Sequence, residues 1–164
     1  MQAFDPLRML RVLTRHEVAF VVIGGLAGRV WGSPTITNDL DICYARGRAN
    51  LEHLAAALGE LHARLRGAPA DVPFQLDARA LAMGDSFTFE TDAGNLDCLG
   101  TPSGTNGYAD VRLRAVEVDL AEDLRIPFCS LDDLLRMKRA AARPKDLIEI
   151  EILEAVREER SRDG

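Results

Sequence analysis

Two aspartates, Asp39 and Asp41, lie two residues apart in a segment whose neighbouring residues are apolar. If residues 39 to 44 form a β-strand, both carboxylates project to one face while Leu40 and Ile42 project to the other. Two carboxylates this close repel each other, and a hard divalent cation such as Mg²⁺ relieves the repulsion. A loop end followed by a solvated strand edge explains the pair equally well. The Asp-x-Asp pattern alone therefore leaves both interpretations open.

A pair of glycines, Gly24 and Gly25, precedes the aspartates, and thirteen residues separate Gly25 from Asp39. The glycines follow an apolar run over residues 19 to 23, which predicts a short central strand, and they lead into a helix predicted over residues 25 to 32. Free backbone N–H groups without a nearby Cβ allow a phosphate to approach closely. The spacing matches neither a Walker loop nor a Rossmann fingerprint. A tight strand-to-helix turn without any ligand is the alternative.

A third carboxylate, Asp97, lies in residues 86 to 100, which predict two strands joined around residues 92 to 95. Leu96 and Cys98 share one face of the second strand, so Asp97 points to the other face. A carboxylate in a short apolar strand is costly unless it is paired, hydrogen-bonded or bound to a metal. Asp97 is therefore either an exposed-face residue or a site residue.

Positive charge is concentrated in residues 136 to 145, which contain five Lys or Arg residues and no acid. In the helix predicted over residues 131 to 142, Lys138 falls on the apolar stripe, where a lysine either extends to solvent or meets an anion. Arg143 and Lys145 follow at the start of the last predicted helix. The alternative is a solvated basic turn between two helices.

The elements that position these residues follow from hydrophobic periodicity. Leucine spacing and weaker alternating patterns predict helices over residues 5 to 16, 49 to 65 and 145 to 159, and strands over residues 114 to 120 and 124 to 128. We expect the tail over residues 157 to 164, REERSRDG, to be frayed and solvated. The sequence predicts one α/β (α+β) domain over residues 1 to 164, with a small mixed sheet of four or five strands and flanking helices. The C-terminal helices, residues 130 to 160, are expected to pack on that core.

Composition excludes several classes of protein. The net charge of −6 argues against a broad nucleic-acid-binding surface. No apolar run approaches the roughly 20 residues of a membrane helix, and the N-terminus lacks the pattern of an export signal, so we expect no membrane partner. Three cysteines without a CxxC spacing predict reduced thiols and a cytoplasmic location.

The combination of Gly24-Gly25, Asp39-Leu40-Asp41 and Asp97 resembles the nucleotidyltransferase superfamily that shares the DNA polymerase β-like catalytic core. The family pattern is an apolar strand, Gly-Gly or Gly-Ser, a short helix, an Asp-x-Asp pair and a separate Asp on a later strand. The segment SLDDLLRMKRAAARPKDLIEIEIL is similar to the last helices of small prokaryotic members, including nucleotidyltransferases of abortive-infection toxin–antitoxin pairs. The resemblance covers about residues 18 to 154.

The resemblance implies transfer of a nucleoside monophosphate from an NTP to a hydroxyl of a protein, RNA or small-molecule acceptor by a two-metal mechanism. It implies two Mg²⁺ ions, replaceable by Mn²⁺, held by three catalytic residues: Asp39, Asp41 and Asp97. It also implies a nucleotide-binding set: Gly24, Gly25, Lys138, Arg143 and Lys145.

Two positions depart from the family pattern and keep a second hypothesis open. Gly25 stands where the pattern often has Ser, and Thr35 stands where many small members carry Arg before the aspartates. The alternative is therefore a catalytically inactive protein of this fold that acts as a binding or regulatory partner. A toxin role would add a cognate antitoxin as partner. A metal-independent small-molecule-binding domain would leave the three aspartates unexplained.

Overall fold

A computed structural model describes residues 3–69 and 75–163. The described residues form alternating helices and strands in this order: α1 (Pro6–Arg15), β1 (Phe20–Ile23), α2 (Gly24–Val30), β2 (Asp39–Tyr44), α3 (Arg48–Glu60), β3 (Arg64–Leu65), α4 (Ala78–Ala82), β4 (Ser86–Thr91), β5 (Gly94–Leu99), α5 (Tyr108–Leu113), β6 (Val116–Ala121), β7 (Leu124–Phe128), α6 (Leu131–Ala141) and α7 (Pro144–Asp163). None of the described helices combines the length and the apolar character that crossing a membrane requires.

The strands form one mixed sheet in the order β3-β4-β5-β2-β1-β7-β6. The pairs β2–β5 and β1–β7 are parallel, and the other neighbours are antiparallel. The predicted mixed α/β architecture is confirmed, but the predicted count of four or five strands is wrong, because the sheet formed by the described residues has seven strands. The two-residue strand β3 is too short to show an alternating pattern, and the β6–β7 hairpin joins the same sheet through β1.

Several helix boundaries differ from the prediction for local reasons. The helix predicted to reach residue 65 ends at Glu60, because the backbone turns into the left-handed region at His62 (φ 52°) and Leu65 then belongs to β3. The C-terminal tail is helical to Asp163, where a frayed tail was expected. The guanidinium of Arg160 stacks over the Trp31 ring at 4.7 Å and attaches this last part of α7 to the end of α2.

Strand β2 has one apolar face and one acidic face. Leu40 and Ile42 are completely buried in the core, while Asp39 and Asp41 project from the opposite face and are only partly buried. Alternation along the strand therefore places the two carboxylates as the sequence predicts.

Helix α7 is connected to the segment that follows α2. The hydroxyl of Ser33 donates to the carboxylate of Glu149 at 3.0 Å, and the indole Nε1 of Trp31 donates to the carbonyl of Cys129 at 3.0 Å. Helix α6 ends at Ala142 in the left-handed conformation (φ 50°), after which Pro144 begins α7. This corner carries the basic segment of the sequence to the acidic face of the sheet.

Candidate active site

The three predicted aspartates come from two adjacent parallel strands. In the pairing of β2 with β5, Asp41 lies opposite Asp97 and Asp39 lies opposite Asn95. Neighbouring strands are about 4.8 Å apart, so aligned side chains on the same face are in reach of each other. We call Asp39, Asp41 and Asp97 the strand carboxylates.

The strand carboxylates repel one another, and Asp41 shows it most clearly. Burial, the charge of Asp97, a hydrogen bond to the Asp97 carboxyl and the charge of Asp39 raise the pKa of Asp41 to about 7, while Lys145 acts in the opposite direction. Asp41 therefore keeps its proton up to about neutral pH. Carboxylates with such raised pKa values are concentrated at functional sites.

Gly24 allows the Asp41 carboxylate to lie directly against the backbone at the start of α2. Its φ is +70°, a conformation that other residues rarely adopt, and a Cβ at this position would lie 2.8 Å from Cγ of Asp41. No other residue type fits this position without displacing the carboxylate.

Gly25 has a different neighbour, Thr37. A Cβ on Gly25 would lie 2.8 Å from both Cβ and Oγ1 of Thr37, and Gly25 is not among the residues that line the cavity beside the strand carboxylates. The Thr37 hydroxyl donates to the carbonyl of Asp39 at 3.1 Å. The serine of the family pattern is therefore excluded here by the side chain of Thr37.

The basic segment is organised by a buried acid, Asp146, to which the sequence analysis assigned no role. Asp146 is 1% exposed; it accepts from Nε of Arg143 at 2.8 Å and from its backbone N–H at 3.0 Å, and it lies 3.8 Å from Nζ of Lys138. Burial acts to raise the pKa of Asp146, but the hydrogen bonds and charges of its basic partners hold it below the usual value. Lys138 on the apolar stripe of α6 thus meets an anion and stays largely buried.

A cavity of about 470 Å³ brings the acidic and basic groups together. Seven of the eight predicted site residues line it: Gly24, Asp39, Asp41, Asp97, Lys138, Arg143 and Lys145. Its remaining wall is mostly apolar: Ile23, Leu99, Pro102, Ser103, Leu134, Met137 and Ala141. The cavity therefore offers carboxylates, cations and an apolar surface to one bound molecule.

Two of the strand carboxylates are held by side chains that the sequence did not indicate. Arg66 donates to Oδ1 of Asp97 at 2.7 Å and to the carbonyl of Phe89 at 3.1 Å. Asn95 donates to Oδ1 of Asp39 at 3.2 Å. An alternating pattern over residues 64 to 66 would have pointed to Arg66, but the segment is too short to show one.

The donor set fits a hard divalent cation, because carboxylate oxygens are the ligands that Mg²⁺ prefers and the excess negative charge at Asp41 needs compensation. The side chains are not arranged as a finished site. Over residues 3–69 and 75–163, no group of three His, Cys, Asp or Glu side chains is close enough together to hold a metal ion. Arg66 occupies Oδ1 of Asp97 and Asn95 occupies Oδ1 of Asp39, so a cation would compete with these two donors for the carboxylate charge.

Comparison with solved structures identifies the fold. The lincosamide antibiotic adenylyltransferase LnuA, solved with lincomycin bound, is 13% identical and superposes with a TM-score of 0.59 over 95% of this chain and 99% of its own. The antibiotic-resistance factor ANT(2'')-Ia, solved with adenylyl-2''-tobramycin, is 16% identical with a TM-score of 0.54 over 97% of both chains. A candidate nucleotidyltransferase from Thermotoga maritima is 17% identical with a TM-score of 0.53 over 98% of this chain and 97% of its own.

The chain therefore has the nucleotidyltransferase fold over nearly its whole length, as the sequence motifs predict. No family model matches the sequence, and no curated protein matches it. At these low identities the structural likeness defines the fold, and the chemistry has to be argued from the residues in the cavity.

Proposed function

We propose that the cavity binds an NTP and transfers its nucleoside monophosphate to a hydroxyl of an acceptor. The observation that carries the proposal is the convergence of three carboxylates from β2 and β5 with three basic residues of the α6–α7 corner on one cavity. The nucleotidyltransferase fold supports it. The acceptor oxygen forms a bond to the α-phosphorus, the bond to the β-phosphate oxygen breaks, and pyrophosphate leaves. The hydroxyl proton passes to an oxygen of the strand carboxylates.

The basic and the apolar residues of the cavity have different roles in this transfer. Lys138, held in place by Asp146, provides positive charge for the triphosphate, beside the backbone of Gly24. Arg143 and Lys145 also line the cavity and orient the nucleotide or the acceptor. The apolar wall at Leu134 and Met137 suits the base or an apolar part of the acceptor.

The strand carboxylates would hold Mg²⁺, or Mn²⁺ in its place, which supplies charge neutralisation for the leaving pyrophosphate. We assign this role to Asp39, Asp41 and Asp97 together because all three line the cavity on one face of the sheet.

We propose a small molecule as the acceptor, in preference to RNA or protein. The cavity of about 470 Å³ is in the range of small-molecule sites, and the net charge of −6 disfavours a polyanion. Two proteins of similar fold, LnuA and ANT(2'')-Ia, are named for action on, or solved with, hydroxylated antibiotics.

The test is incubation with each of four NTPs labelled at the α-phosphate, in Mg²⁺, with lincomycin, tobramycin, mixed RNA or no added acceptor. We expect label to pass to a small molecule. The double variant Asp39→Asn, Asp41→Asn should lose at least about a thousandfold of the rate, equivalent to several kcal/mol. Asp119→Asn, on an exposed part of β6, should keep full activity. Equal and null nucleotide binding by the wild type and the double variant would refute the proposal.

The alternative function, a non-catalytic binding or regulatory partner, is favoured by one observation. Thr37 excludes a serine at position 25, so the hydroxyl that family members use beside the glycines is missing there. A protein of this kind would bind a partner such as a cognate antitoxin without Mg²⁺-dependent affinity for NTP. A toxin would arrest growth on expression, and the antitoxin would relieve the arrest.

A further inference from the structure

Arg66, which directly follows β3, places a positive charge at the end of a row of paired residues in three strands: Thr88 in β4, Asp97 in β5 and Asp41 in β2. Its backbone N–H donates to the carbonyl of Thr88 at 2.9 Å, which sets Arg66 opposite Thr88 at the edge of the sheet. The guanidinium donates to Oδ1 of Asp97 at 2.7 Å and to the carbonyl of Phe89 at 3.1 Å.

The neighbouring arginine in β3, Arg64, shows that this contact is specific. Arg64 lies two residues earlier, opposite Glu90, and its Nε is 3.5 Å from the Glu90 carboxylate. The Arg64 side chain is 74% exposed, whereas that of Arg66 is 29% exposed and its partner Asp97 is 20% exposed. An exposed pair contributes little, but a pair this shielded is held strongly.

We propose that Arg66 is a resident counter-cation that competes with a divalent cation for Asp97. The inference rests on the proposed function, which assigns that cation to the strand carboxylates. A metal ion and the guanidinium require the same carboxylate charge, and Oδ1 of Asp97 is already bound to Arg66. The fixed positive charge also repels a divalent ion a few ångströms away.

The consequence of this competition is a low affinity for the bare cation. When the cation arrives bound to a triphosphate, the negative charge of the phosphate oxygens offsets the repulsion from Arg66. Arg66 therefore favours uptake of the metal together with the nucleotide over uptake of the metal alone, and it keeps Asp97 paired at other times. In this role Arg66 is a positioning residue that acts through Asp97.

The experiment measures binding of Mn²⁺ alone by calorimetry in the wild type, Arg66→Gln and the matched control Arg64→Gln. We expect Arg66→Gln to bind Mn²⁺ about tenfold more tightly, the effect of one charge about 6 Å from a divalent ion in a water-like dielectric. Its melting temperature in EDTA should fall, because Asp97 loses its partner. Arg64→Gln should change Mn²⁺ affinity less than about twofold, because Arg64 contacts Glu90 in place of a strand carboxylate.

If Arg66 competes with the cation, Arg66→Gln should combine tighter Mn²⁺ binding with a lower melting temperature. If its role is only structural, the melting temperature should fall and the Mn²⁺ affinity should stay unchanged. In an Asp97→Asn background, Arg66→Gln should no longer tighten Mn²⁺ binding. Unchanged or weaker Mn²⁺ affinity in Arg66→Gln, or no Mn²⁺ binding in any variant, would overturn the inference. Tightened Mn²⁺ binding without any nucleotidyl transfer would leave the inference standing and remove the proposed function.

Discussion

Two clusters of buried or half-buried carboxylates in this protein balance their charge differently. The strand carboxylates number three, and among the described residues one arginine, Arg66, forms an ion pair with them. The second cluster, which we call the α5–α6 ion network, consists of Asp110, Arg114, Asp133 and Arg136. Each carboxylate of the network contacts both arginines, at distances from 2.7 to 3.3 Å.

The pKa values of one carboxylate from each cluster, Asp110 and Asp41, move in opposite directions. A backbone hydrogen bond from Asn106 and the two arginines lower the pKa of Asp110 to about 2. Burial and neighbouring carboxylates raise the pKa of Asp41 to about 7. The network is therefore balanced in charge, while Asp41 lacks that compensation, as a cation-binding role of the strand carboxylates requires.

The largest effect on stability is expected from breaking the network at Asp133. The Asp133 side chain is 4% exposed, and Asp133→Asn would remove the more buried of the two carboxylates that Arg114 and Arg136 share. We expect a loss of about 3 kcal/mol of unfolding free energy and a melting temperature lower by roughly 5–10 °C. The matched control is Asp132→Asn, whose partner Arg157 is at the surface, and it should cost less than about 0.5 kcal/mol in the same urea titration. Equal losses in both variants would contradict the comparison.

An Asp→Asn substitution among the strand carboxylates should raise the unfolding free energy, whereas Asp133→Asn lowers it. In EDTA at pH 8, Asp41→Asn removes a charge that burial and Asp97 disfavour, so it should raise the unfolding free energy by about 2 kcal/mol. Because the pKa of Asp41 is raised in the folded protein, its protonated form stabilises the fold at low pH, and this contribution is lost as pH rises through about 7. The gain should therefore shrink to nearly zero at pH 4. If Asp41→Asn destabilised the protein at pH 8, the negative charge of Asp41 would already be compensated in the folded state.

Asp146 shares features with both clusters. Like the carboxylates of the α5–α6 ion network it is buried and paired with basic residues, and like the strand carboxylates it belongs to the cavity region, because its partners line the cavity. Asp146→Asn should weaken binding of a Mg²⁺–NTP complex about tenfold, because Lys138 and Arg143 lose the charge that positions them. The control is Glu154→Gln, which breaks another α6–α7 ion pair, with Arg139, away from the cavity lining. Calorimetric titration of the nucleotide distinguishes the two, and equal affinities in both variants would reduce Asp146 to a structural role.

The smallest effect should come from adding charge at Asn95, which pairs with Asp39 in the sheet. Asn95→Asp places two carboxylates opposite each other and removes the hydrogen bond from Asn95 to Asp39. It should therefore lower the unfolding free energy in EDTA by about 1 kcal/mol. Millimolar Mg²⁺ should recover this loss if the strand carboxylates bind a cation. If Mg²⁺ left the loss of unfolding free energy unchanged, Asn95 would not be part of a cation site.

The part of the site that could be predicted from sequence depends on local patterns. Alternation along a six-residue strand is enough to place Asp39 and Asp41 on one face. The position of Lys138 on an apolar stripe likewise predicts an anion or solvent near it, and the anion is Asp146, eight residues further along the chain.

The part that could not be predicted depends on long-range pairing. Arg66 and Asp97 are 31 residues apart, and a two-residue strand brings them together. Whether position 25 can accept a serine depends on Thr37, which approaches it from the connector before β2. The strand count was wrong for the same reason, because short edge strands are determined by their partners more than by their own residues.

A crystal structure with Mg²⁺ and a non-hydrolysable NTP analogue would decide whether the strand carboxylates and the α6–α7 corner form one metal–nucleotide site. We expect metal density at about 2.0–2.1 Å from carboxylate oxygens of Asp39 and Asp41, with Asp97 turned from Arg66 toward it. We also expect triphosphate oxygens within hydrogen-bonding distance of Lys138. A nucleotide bound outside this cavity, or bound within it with the three carboxylates unmoved and no metal between them, would refute the proposed site.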